Sequence, residues 1–547
     1  MLPLHPNSYE DLCQRFQWQI PDSYNIGYDA CGKWALSEPE RLALIYVDAD
    51  FQAHHYSFGQ LYSLAGQLGK LLQKYDVQPT DRVAILLPQA PETAFAHIAC
   101  YRMGAVALPL FTLFGDDAIH YRLADSGTKV VITDCAHAQK VLSMRTQLPD
   151  LEHIFTIDGA LLGTRDMYQE MQGLNDDLSN ASTTADDPAV IIYTSGTTGQ
   201  PKGALHAHRV LLGHLPGVEV SHNLFPQEGD RIWTPADWAW IGGLFDVLMS
   251  AWHHGVAVVA HRFQRFDPEG AFQLLQDFQV RNTFLPPTAL KLMRGVKDPH
   301  RRWQYRLRSV ASGGESLGPE LLDWGQRVFG LTINEFYGQT ECNMIVSSCA
   351  DVFPTRPGAM GKAVPGHTVA IVDDNGQRVA TGELGHIAVQ RPNPVMFLKY
   401  WNNPQDTADK YINDWLITGD TGRFDDDGYI YFVGRSDDVI TSSGYRIGPT
   451  EIEDCILKHP AVHMVAVVGA PDPERTETIV AVIVLNPGYQ GDQQLITAIQ
   501  EHVKQHLAAY QYPREVYFVD ELPMTTTSKV IRKVLRKQVL DWRKANQ

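Results

Sequence analysis

The run Tyr193-Thr194-Ser195-Gly196-Thr197-Thr198-Gly199-Gln200-Pro201-Lys202-Gly203 directly follows four apolar residues, Ala189 to Ile192, that are typical of a buried strand. Its glycines allow the backbone to approach a ligand closely, because they carry no Cβ. The hydroxyls, the backbone amides and the Lys202 ammonium group offer several donors and one positive charge. Such a set is suited to cradle a polyphosphate. The next residues, Ala204 to Leu212, favour the start of a helix.

Two other interpretations compete for this run, which we call the phosphate loop (residues 193–203). Glycine, serine, threonine and proline also make ordinary turns, but a turn does not explain the whole run with its lysine. A Walker A loop has serine or threonine after its lysine to meet Mg²⁺, whereas Gly203 follows Lys202 here. The sequence therefore favours a phosphate loop of another kind.

The composition argues against several classes of protein. A chain of 547 residues is too long for one compact core, so two or more domains are expected. A net charge of −17 at pH 7 argues against a non-specific nucleic-acid binder. The sequence has no apolar run long enough for a membrane span, and its first residues do not form a basic segment followed by an apolar run. We therefore expect neither a membrane span nor a signal peptide. The seven cysteines form no C-x-x-C pair, which argues against a zinc site or a disulfide framework and favours the cytoplasm.

Apolar runs alternate with helical patterns before the phosphate loop. Leucines three and four residues apart, between Leu61 and Leu72, predict a helix. The other predicted elements are strands at 82–87, 105–110 and 129–133 and a helix at 93–103. This alternation predicts an α/β fold, with a large N-terminal domain of mainly parallel sheets layered with helices.

A second polar motif is Asn334-Glu335-Phe336-Tyr337-Gly338-Gln339-Thr340-Glu341. Tyr337 can stack on a purine, Thr340 can bond a phosphate oxygen, and Glu341 can hold the Mg²⁺ that neutralises a triphosphate. A simple turn at a strand end explains neither the acid nor its neighbours. Together with the phosphate loop, this motif indicates a nucleotide site.

Three further patterns suit a nucleotide or an organic substrate beside it. Val310 to Ser316 has a glycine pair that gives a flat backbone edge for a planar base. Trp238 and Trp240, beside paired glycines, could wall an organic substrate, although core packing explains either tryptophan alone. Asp420 and Arg435 flank a hairpin signalled by an Asp-Gly turn, and could hold a ribose or a phosphate.

In this order along the chain, the motifs resemble those of the adenylate-forming enzymes: acyl-CoA synthetases, luciferases and non-ribosomal adenylation domains. The Tyr-Gly-Gln-Thr-Glu spelling is most similar to medium-chain acyl-CoA synthetases. The resemblance implies ATP, Mg²⁺ and coenzyme A as ligands. It also implies an N-terminal domain at 1–436 and a small, mobile α+β C-terminal domain at 437–547, with Asp437 as the hinge between them.

The resemblance assigns roles residue by residue. The catalytic group is Lys529, Glu341, Thr194 and Lys202, with Glu341 as the metal ligand. The ATP or AMP contacts are Thr194, Ser195, Gly196, Thr197, Thr198, Gly199, Lys202, Gly314, Glu315, Ser316, Glu335, Phe336, Tyr337, Gly338, Gln339, Thr340, Asp420, Arg435 and Lys529. The acyl pocket is Trp238, Trp240, Ile241, Gly242 and Gly338. The coenzyme A contacts are Ser443, Gly444 and Arg446.

One pocket position predicts the size of the acid. Acetate-specific relatives carry a tryptophan at the place of Gly338, which closes their pocket. A glycine there leaves space, so we expect an acid longer than propionate.

Two departures from the family pattern stand elsewhere: Ser528 replaces a glycine before Lys529, and Thr441 replaces a lysine after the hinge. Neither removes a catalytic group.

The sequence therefore predicts an ATP-dependent acid–CoA ligase for a short- or medium-chain fatty acid, possessing no transmembrane segment and capable of forming a homodimer. One alternative is a ligase for an aryl or branched acid. Another is a catalytically silent nucleotide-binding regulatory protein.

Near the end of the chain, Ile531, Val534, Leu535 and Val539 predict an amphipathic helix. We assign the basic run from Arg532 to Lys537 to its solvent-exposed face.

Overall fold

The computed structural model describes residues 2, 6–194, 200–315, 317–435, 438, 440–442, 445–472, 475–507, 511–525 and 529–545. Side chains are described for all of these except residues 441, 445, 446, 451 and 545. The chain divides into two compact units: residues 1–196, 200–368 and 390–414 form the first, and residues 197–199, 369–389 and 415–547 form the second. None of the described helices has the length and apolar character that a bilayer crossing requires.

One sheet of the first unit carries both ends of the phosphate loop. Its strands in the described part of the chain are, in spatial order, Lys399–Tyr400, Lys202–Ala207, Pro188–Thr194, Val106–Pro109, Arg82–Leu86, Val130–Thr133, His153–Thr156 and Arg165–Asp166. The last six are parallel, while the first two pair antiparallel with their neighbours. The three strands predicted before the phosphate loop are confirmed.

A second sheet of the first unit carries the motif that ends at Glu341. Its strands in the described residues are, in spatial order, Lys362–Ala363, Cys342–Ser347, Ile333–Gln339, Ser309–Gly313, Asn282–Phe284, Arg231–Trp233, Ala257–His261, Leu42–Val47 and Ala53–Ser57. The six strands from Ile333–Gln339 to Leu42–Val47 are parallel. The α/β fold class is therefore confirmed.

Helices cover the sheets because both faces of the parallel strands are apolar. Along Arg82–Leu86, Val83 and Ile85 belong to one buried cluster, while Ala84 and Leu86 belong to another. A parallel sheet buried on both faces requires such continuous apolar runs. The helices of this unit are Tyr9–Arg15, Tyr28–Gly32, Lys33–Ser37, Phe58–Lys74, Pro91–Met103, Asp116–Ser126, Cys135–Ser143, Arg145–Gln147, Met167–Met171, Val210–Ser221, Gly242–Met249, Ser250–His253, Pro268–Asp277, Pro287–Arg294, Pro299–Arg302, Pro319–Phe329 and Pro404–Asp409.

The leucine-rich helix Phe58–Lys74 shows how local chemistry sets a helix start. The Ser57 hydroxyl accepts a hydrogen bond from the Gln60 amide, and the Gln60 side chain accepts one from the Ser57 amide. This capping box satisfies two amides that lack partners within the helix. The predicted helix is confirmed, with Leu61, Leu68 and Leu72 fully buried.

The second unit contains two small antiparallel-rich sheets. Val369–Val372 pairs with Gly385–Gln390, and Trp415–Phe424 pairs with Ile430–Arg435. The other sheet contains Tyr445–Ile447, Ile440–Ser442, Thr476–Leu485, Val462–Asp472 and Glu515–Phe518. The helices are Pro449–Leu457, Gln493–His506 and Arg532–Ala545. This is the expected α+β arrangement. The short strand Tyr411–Ile412 belongs to the first unit.

The prediction of a helix from Ala204 was wrong. Lys202–Ala207 is a strand, and the helix begins only at Val210. Backbone pairing with Pro188–Thr194 on one side and with Lys399–Tyr400 on the other explains the difference. These tertiary hydrogen bonds override the weak local preference of the segment.

The terminal helix also differs from its prediction. Val534 is exposed, and two of the basic residues assigned to solvent are engaged. Arg532 donates to both carboxylate oxygens of Glu453 at 2.7 and 2.8 Å, and Arg536 donates to Asp438 at 2.7 Å. An amphipathic pattern does not distinguish a solvated cation from one that pairs with a buried acid.

We expect Arg532→Ala to lower the free energy of unfolding by about 2 kcal/mol, because Glu453 and Asp438 would each lose a charged hydrogen-bonding or ion-pair partner. Urea unfolding followed by circular dichroism measures the change. Lys533→Ala is the matched control, because that lysine is exposed on the same helix. Equal losses in both variants would contradict the assigned role of Arg532.

Candidate active site

The two ends of the phosphate loop lie side by side in a hairpin. Thr194 and Lys202 are opposite residues of the antiparallel pair, and the Thr194 hydroxyl donates to the Lys202 carbonyl at 3.4 Å. Both predicted catalytic residues of the loop therefore stand at one end of the sheet. The assignments to Ser195, Gly196, Thr197, Thr198 and Gly199 lie outside the described residues and stay predictions.

The ammonium group of Lys202 is held by an acid that the sequence analysis missed. Lys202 Nζ lies 2.6 Å from Asp406 Oδ2, and this hydrogen bond lowers the pKa of the Asp406 carboxyl. Asp406 is in the first turn of Pro404–Asp409, where its amide donates to the Asn403 side chain at 3.0 Å. The ion pair fixes the position of the Lys202 ammonium group beside Pro404–Asp409.

Tyr400 joins Lys202 to Glu341. Its ring centroid lies 5.3 Å from Lys202 Nζ, and its hydroxyl donates to Glu341 Oε1. Burial and the Glu341 carboxylate raise the pKa of the Tyr400 hydroxyl well above its ordinary value, so it stays a donor. Tyr400 reaches this place because its strand pairs with Lys202–Ala207, with Tyr400 opposite Ala204. We call Lys202, Tyr400, Glu341 and Asp406 the lysine–carboxylate cluster.

Glu341 has the properties of a ligand for a hard cation. It lies in the tight turn between Ile333–Gln339 and Cys342–Ser347, and it is only 7% exposed. Among the described residues, Tyr400 is the one side-chain donor to this carboxylate, and it binds Oε1. The second oxygen, Oε2, thus has no donor among them. Mg²⁺ prefers such carboxylate oxygens, so Glu341 fits the predicted metal role.

The two nucleotide motifs lie at the carboxyl ends of adjacent parallel strands. Ser309–Gly313 pairs with Ile333–Gln339, which places Gly313 beside Phe336. Ligands of open α/β sheets bind at this edge. A Cβ at Gly313 would lie 2.5 Å from the Phe336 ring, so glycine is needed for this close approach. This register brings the two motifs to the same edge of the sheet, and their assignment to one nucleotide site stays a prediction.

Other predicted nucleotide contacts have partners within the first unit. Glu335 Oε1 accepts from the Leu317 amide at 3.2 Å, which holds the segment after Ser316. Glu315 accepts from the Thr288 hydroxyl at 3.4 Å, and Gln339 accepts from Lys410 at 2.9 Å. Gly314 has φ +92°, a conformation suited to glycine. Tyr337 and Thr340 are half-buried, and Ser316 lies outside the described residues.

The predicted acyl-pocket residues differ in exposure. Trp238 is buried in the main core, which favours the core-packing interpretation for this residue. Trp240, Ile241 and Gly242 are half-buried, and the Trp240 ring centroid lies 6.1 Å from that of Phe111. Of the predicted wall, Trp240, Ile241 and Gly242 are the partly accessible members, and the assignment of these residues to an acyl pocket stays a prediction.

Gly338 lies directly against another residue. A Cβ at Gly338 would lie 2.5 Å from Asn343 Oδ1 and 2.8 Å from Asn343 Cα. The space on the Cβ side of Gly338 is thus taken up by Asn343, a residue that the sequence analysis did not select. The prediction of an acid longer than propionate is not tested by this packing.

In the second unit, the predicted ribose residues meet each other. Asp420 and Arg435 are opposite residues on paired strands, and Arg435 Nε lies 3.3 Å from Asp420 Oδ1. The hairpin turn between them is confirmed: Asp425 Oδ1 accepts from the amides of Asp427 and Tyr429, and Gly428 has φ +80°. Asp420 is 6% exposed, whereas Arg435 is half-buried.

Lys529 is an exposed residue of the second unit. Its amide donates to the Thr525 hydroxyl at 3.1 Å, and its carbonyl accepts from the Thr525 amide at 2.7 Å. The hinge at Asp437, the coenzyme A contacts Ser443 and Gly444, and the departure at Ser528 lie outside the described residues. Arg446 lies in the strand Tyr445–Ile447, with its backbone alone described.

Comparison with known sequences gives two family matches. The family model described as AMP-binding enzyme matches residues 32–401, and the model described as AMP-binding enzyme C-terminal domain matches residues 451–529. A curated relative, "Acyl-coenzyme A synthetase ACSM3, mitochondrial" of Mus musculus, is 35% identical over 554 residues. These cover 98% of this chain and 94% of the relative.

Two solved structures are similar over nearly the whole chain. The acyl-CoA synthetase of Brucella canis has 31% identity and a TM-score of 0.75, covering 98% of this chain and 100% of the other. The anthranilate CoA ligase AuaEII, in complex with anthranoyl-AMP, has 29% identity and a TM-score of 0.85. It covers 95% of this chain and 98% of the other.

Proposed function

Since the chain belongs to the AMP-binding enzyme family and is an ATP-dependent, AMP-forming acid–CoA ligase, we propose that its acid is a short- or medium-chain fatty acid. The half-buried wall from Trp240 to Gly242 and the Tyr337-Gly338-Gln339-Thr340-Glu341 motif support this choice. The domains meet at residues 436 and 437 in this proposal, and the smaller one acts as a lid.

In the first step, a carboxylate oxygen of the acid attacks the α-phosphorus of ATP. A phosphorus–oxygen bond forms, the bond to pyrophosphate breaks, and acyl-AMP remains. Thr194 and Lys202 bind the phosphates, Asp420 and Arg435 bind the ribose, and Lys529 stabilises charge between the carboxylate and the α-phosphate. Glu341 would hold Mg²⁺, which when bound would neutralise charge on the triphosphate.

In the second step, the thiol of coenzyme A loses its proton and attacks the acyl carbon, and AMP leaves with the bonding electrons. We assign Ser443, Gly444 and Arg446 to coenzyme A in this step. Rotation about Asp437 would withdraw Lys529 and present these residues, so that one site serves both reactions.

The observation that carries the proposed adenylation step is the lysine–carboxylate cluster. Tyr400 holds the phosphate-loop cation, Lys202, over its ring and the candidate metal carboxylate, Glu341, at its hydroxyl. A triphosphate needs positive charge on its oxygens at both places. A protein with only a structural fold would have no reason to hold these opposite charges around one buried tyrosine.

Pyrophosphate release across a series of acids tests the proposed substrate. The series runs from acetate to decanoate with benzoate added, each acid with and without coenzyme A. We expect a maximum between about 4 and 10 carbons, because an apolar wall gains free energy with each buried methylene. AMP should be the co-product. A maximum at acetate would contradict the proposed chain length.

Two alternatives keep distinct signatures. An aryl or branched acid is favoured by the likeness to a structure with anthranoyl-AMP, and would appear as a maximum at benzoate. A silent nucleotide-binding protein would bind ATP and release no pyrophosphate with any acid.

A homodimer and a cytoplasmic location stay predictions. Light scattering would test the first and cell fractionation the second. The mouse relative described above is named as mitochondrial.

A further inference from the structure

A buried carboxyl and a buried amide form a pair next to Gly242 and Gly338, two residues of the predicted acyl pocket. Both oxygens of Asp246 accept from Asn343 Nδ2, at 2.7 and 2.9 Å. Asp246 is 2% exposed and Asn343 is 5% exposed. Asp246 lies on the helix Gly242–Met249, and Asn343 lies on the strand Cys342–Ser347. Neither residue was selected from the sequence.

The surroundings of Asp246 supply no full positive charge. Of the described residues, only His214 comes within ion-pair distance, with its Nε2 3.7 Å from Asp246 Oδ1. The other ring nitrogen, Nδ1, lies 2.7 Å from the Val210 carbonyl and carries the proton, and burial lowers the pKa of His214 to about 4. A neutral imidazole leaves its Nε2 as an acceptor. Burial also raises the pKa of Asp246 well above its ordinary value.

Each member of the pair is covered by a glycine. A Cβ at Gly242 would lie 3.4 Å from Asp246 Oδ2, and a Cβ at Gly338 would lie 2.5 Å from Asn343 Oδ1. Both glycines are half-buried, and both belong to the predicted pocket. Larger residues at these places would shield or displace the polar groups. As glycines, these two residues place no side chain against Asp246 Oδ2 or Asn343 Oδ1.

We propose that Asp246 and Asn343 form a polar subsite at the far end of the acyl pocket, and that the acid carries a hydrogen-bond donor there, an amino or hydroxyl group. The proposal rests on the acid–CoA ligase function and on the pocket that contains Gly242 and Gly338. The donor would bind an Asp246 oxygen, while its carboxylate would face the nucleotide.

The energetic argument favours a subsite over a purely structural link. Burying a carboxyl without a cation costs free energy that an apolar pair in the same place would not. A link between a helix and a strand therefore does not require this chemistry. A ligand donor offsets the cost only when it is bound, which makes the pair a source of specificity.

Matched acids test the subsite. We compare kcat/KM for hexanoate with its terminal amino and hydroxyl derivatives, and for benzoate with the aminobenzoates and hydroxybenzoates. One donor-bearing acid should exceed its parent by about 10- to 100-fold, the size expected for a charged hydrogen bond. A preference for the amino over the hydroxyl compound would identify a cationic donor. Asp246→Asn should reduce this ratio at least about tenfold, mainly through KM.

Glu219→Gln is the matched control. Glu219 is also a buried carboxyl that faces a histidine, His254 at 3.1 Å, but it contacts neither glycine. This variant should keep the ratio. Parent acids that match or exceed every donor-bearing acid would overturn the subsite and leave the ligase function intact. An equal fall for parent and donor-bearing acids in Asp246→Asn would show a structural link only. If no acid releases pyrophosphate, the ligase function fails, and the subsite fails with it.

Discussion

Lys529→Ala is expected to slow acyl-AMP formation by about 100- to 1,000-fold, while the conversion of supplied acyl-AMP to acyl-CoA persists. The ammonium group would stabilise charge that develops only between the acid and the α-phosphate. Alanine keeps the two backbone-mediated contacts with Thr525, so the local loop should remain formed. Acid-dependent pyrophosphate release measures the first reaction, and acyl-CoA formation from synthetic acyl-AMP measures the second.

The asymmetry between the two reactions is the informative result. Lys533→Ala is a suitable control, because Lys533 is exposed on the adjoining helix and has no assigned role. It should leave both rates near their original values. If Lys529→Ala lowered both reactions equally, the lysine would act in folding or in general nucleotide binding. If it lowered neither, the assignment to Lys529 would be wrong.

Much of the fold could be predicted because its signals are local. The apolar runs at 82–87 and 129–133 predicted strands, and the apolar residues of the observed strands Arg82–Leu86 and Val130–Thr133 do alternate between two buried clusters. The hairpin of Trp415–Phe424 and Ile430–Arg435 follows from the Asp-Gly turn, which sets the register next to the turn, with Phe424 opposite Ile430; a bulge between Thr421 and Gly422 then shifts the register and places Asp420 opposite Arg435. In both cases the determining residues lie within a few positions of the structure that they set.

The site depends partly on pairings between distant segments, which no local pattern reveals. Tyr400 and Asp406 belong to no motif and lie far along the chain from Lys202. They reach it because Lys399–Tyr400 adds to the edge of the strand Lys202–Ala207. The same edge pairing explains why the segment after Lys202 is a strand and not the predicted helix. In the sequence, the only signal for their role is that a tyrosine and an acid, Tyr400 and Asp406, follow the Glu341 motif.

Buried polar groups are equally hard to predict, because residue type does not determine burial. Asp246 and Asn343 look like ordinary residues of a helix and a strand in the sequence. Their pairing becomes visible only when Gly242 and Gly338 are seen beside them. Likewise, Arg532 and Arg536 have the spacing of a solvated face, yet they bind acids from other elements.

Glu341→Gln is expected to lower the rate of pyrophosphate release by about 100- to 1,000-fold and to raise the Mg²⁺ concentration needed for half-maximal rate. The amide has the same shape, and its oxygen can still accept from the Tyr400 hydroxyl. What it removes is the negative charge that a divalent cation requires. Rates measured over a range of Mg²⁺ concentrations test both parts of this expectation.

Tyr400→Phe separates the charge of Glu341 from its orientation. This change removes the hydroxyl donor but keeps the carboxylate and the ring beside Lys202. A neighbouring hydrogen bond is worth about 1 kcal/mol, so the loss should be about tenfold or less. If both variants fell equally with the same Mg²⁺ dependence as the original protein, Glu341 would serve to position Tyr400. A shift in Mg²⁺ dependence confined to Glu341→Gln would identify Glu341 as the residue that holds the cation.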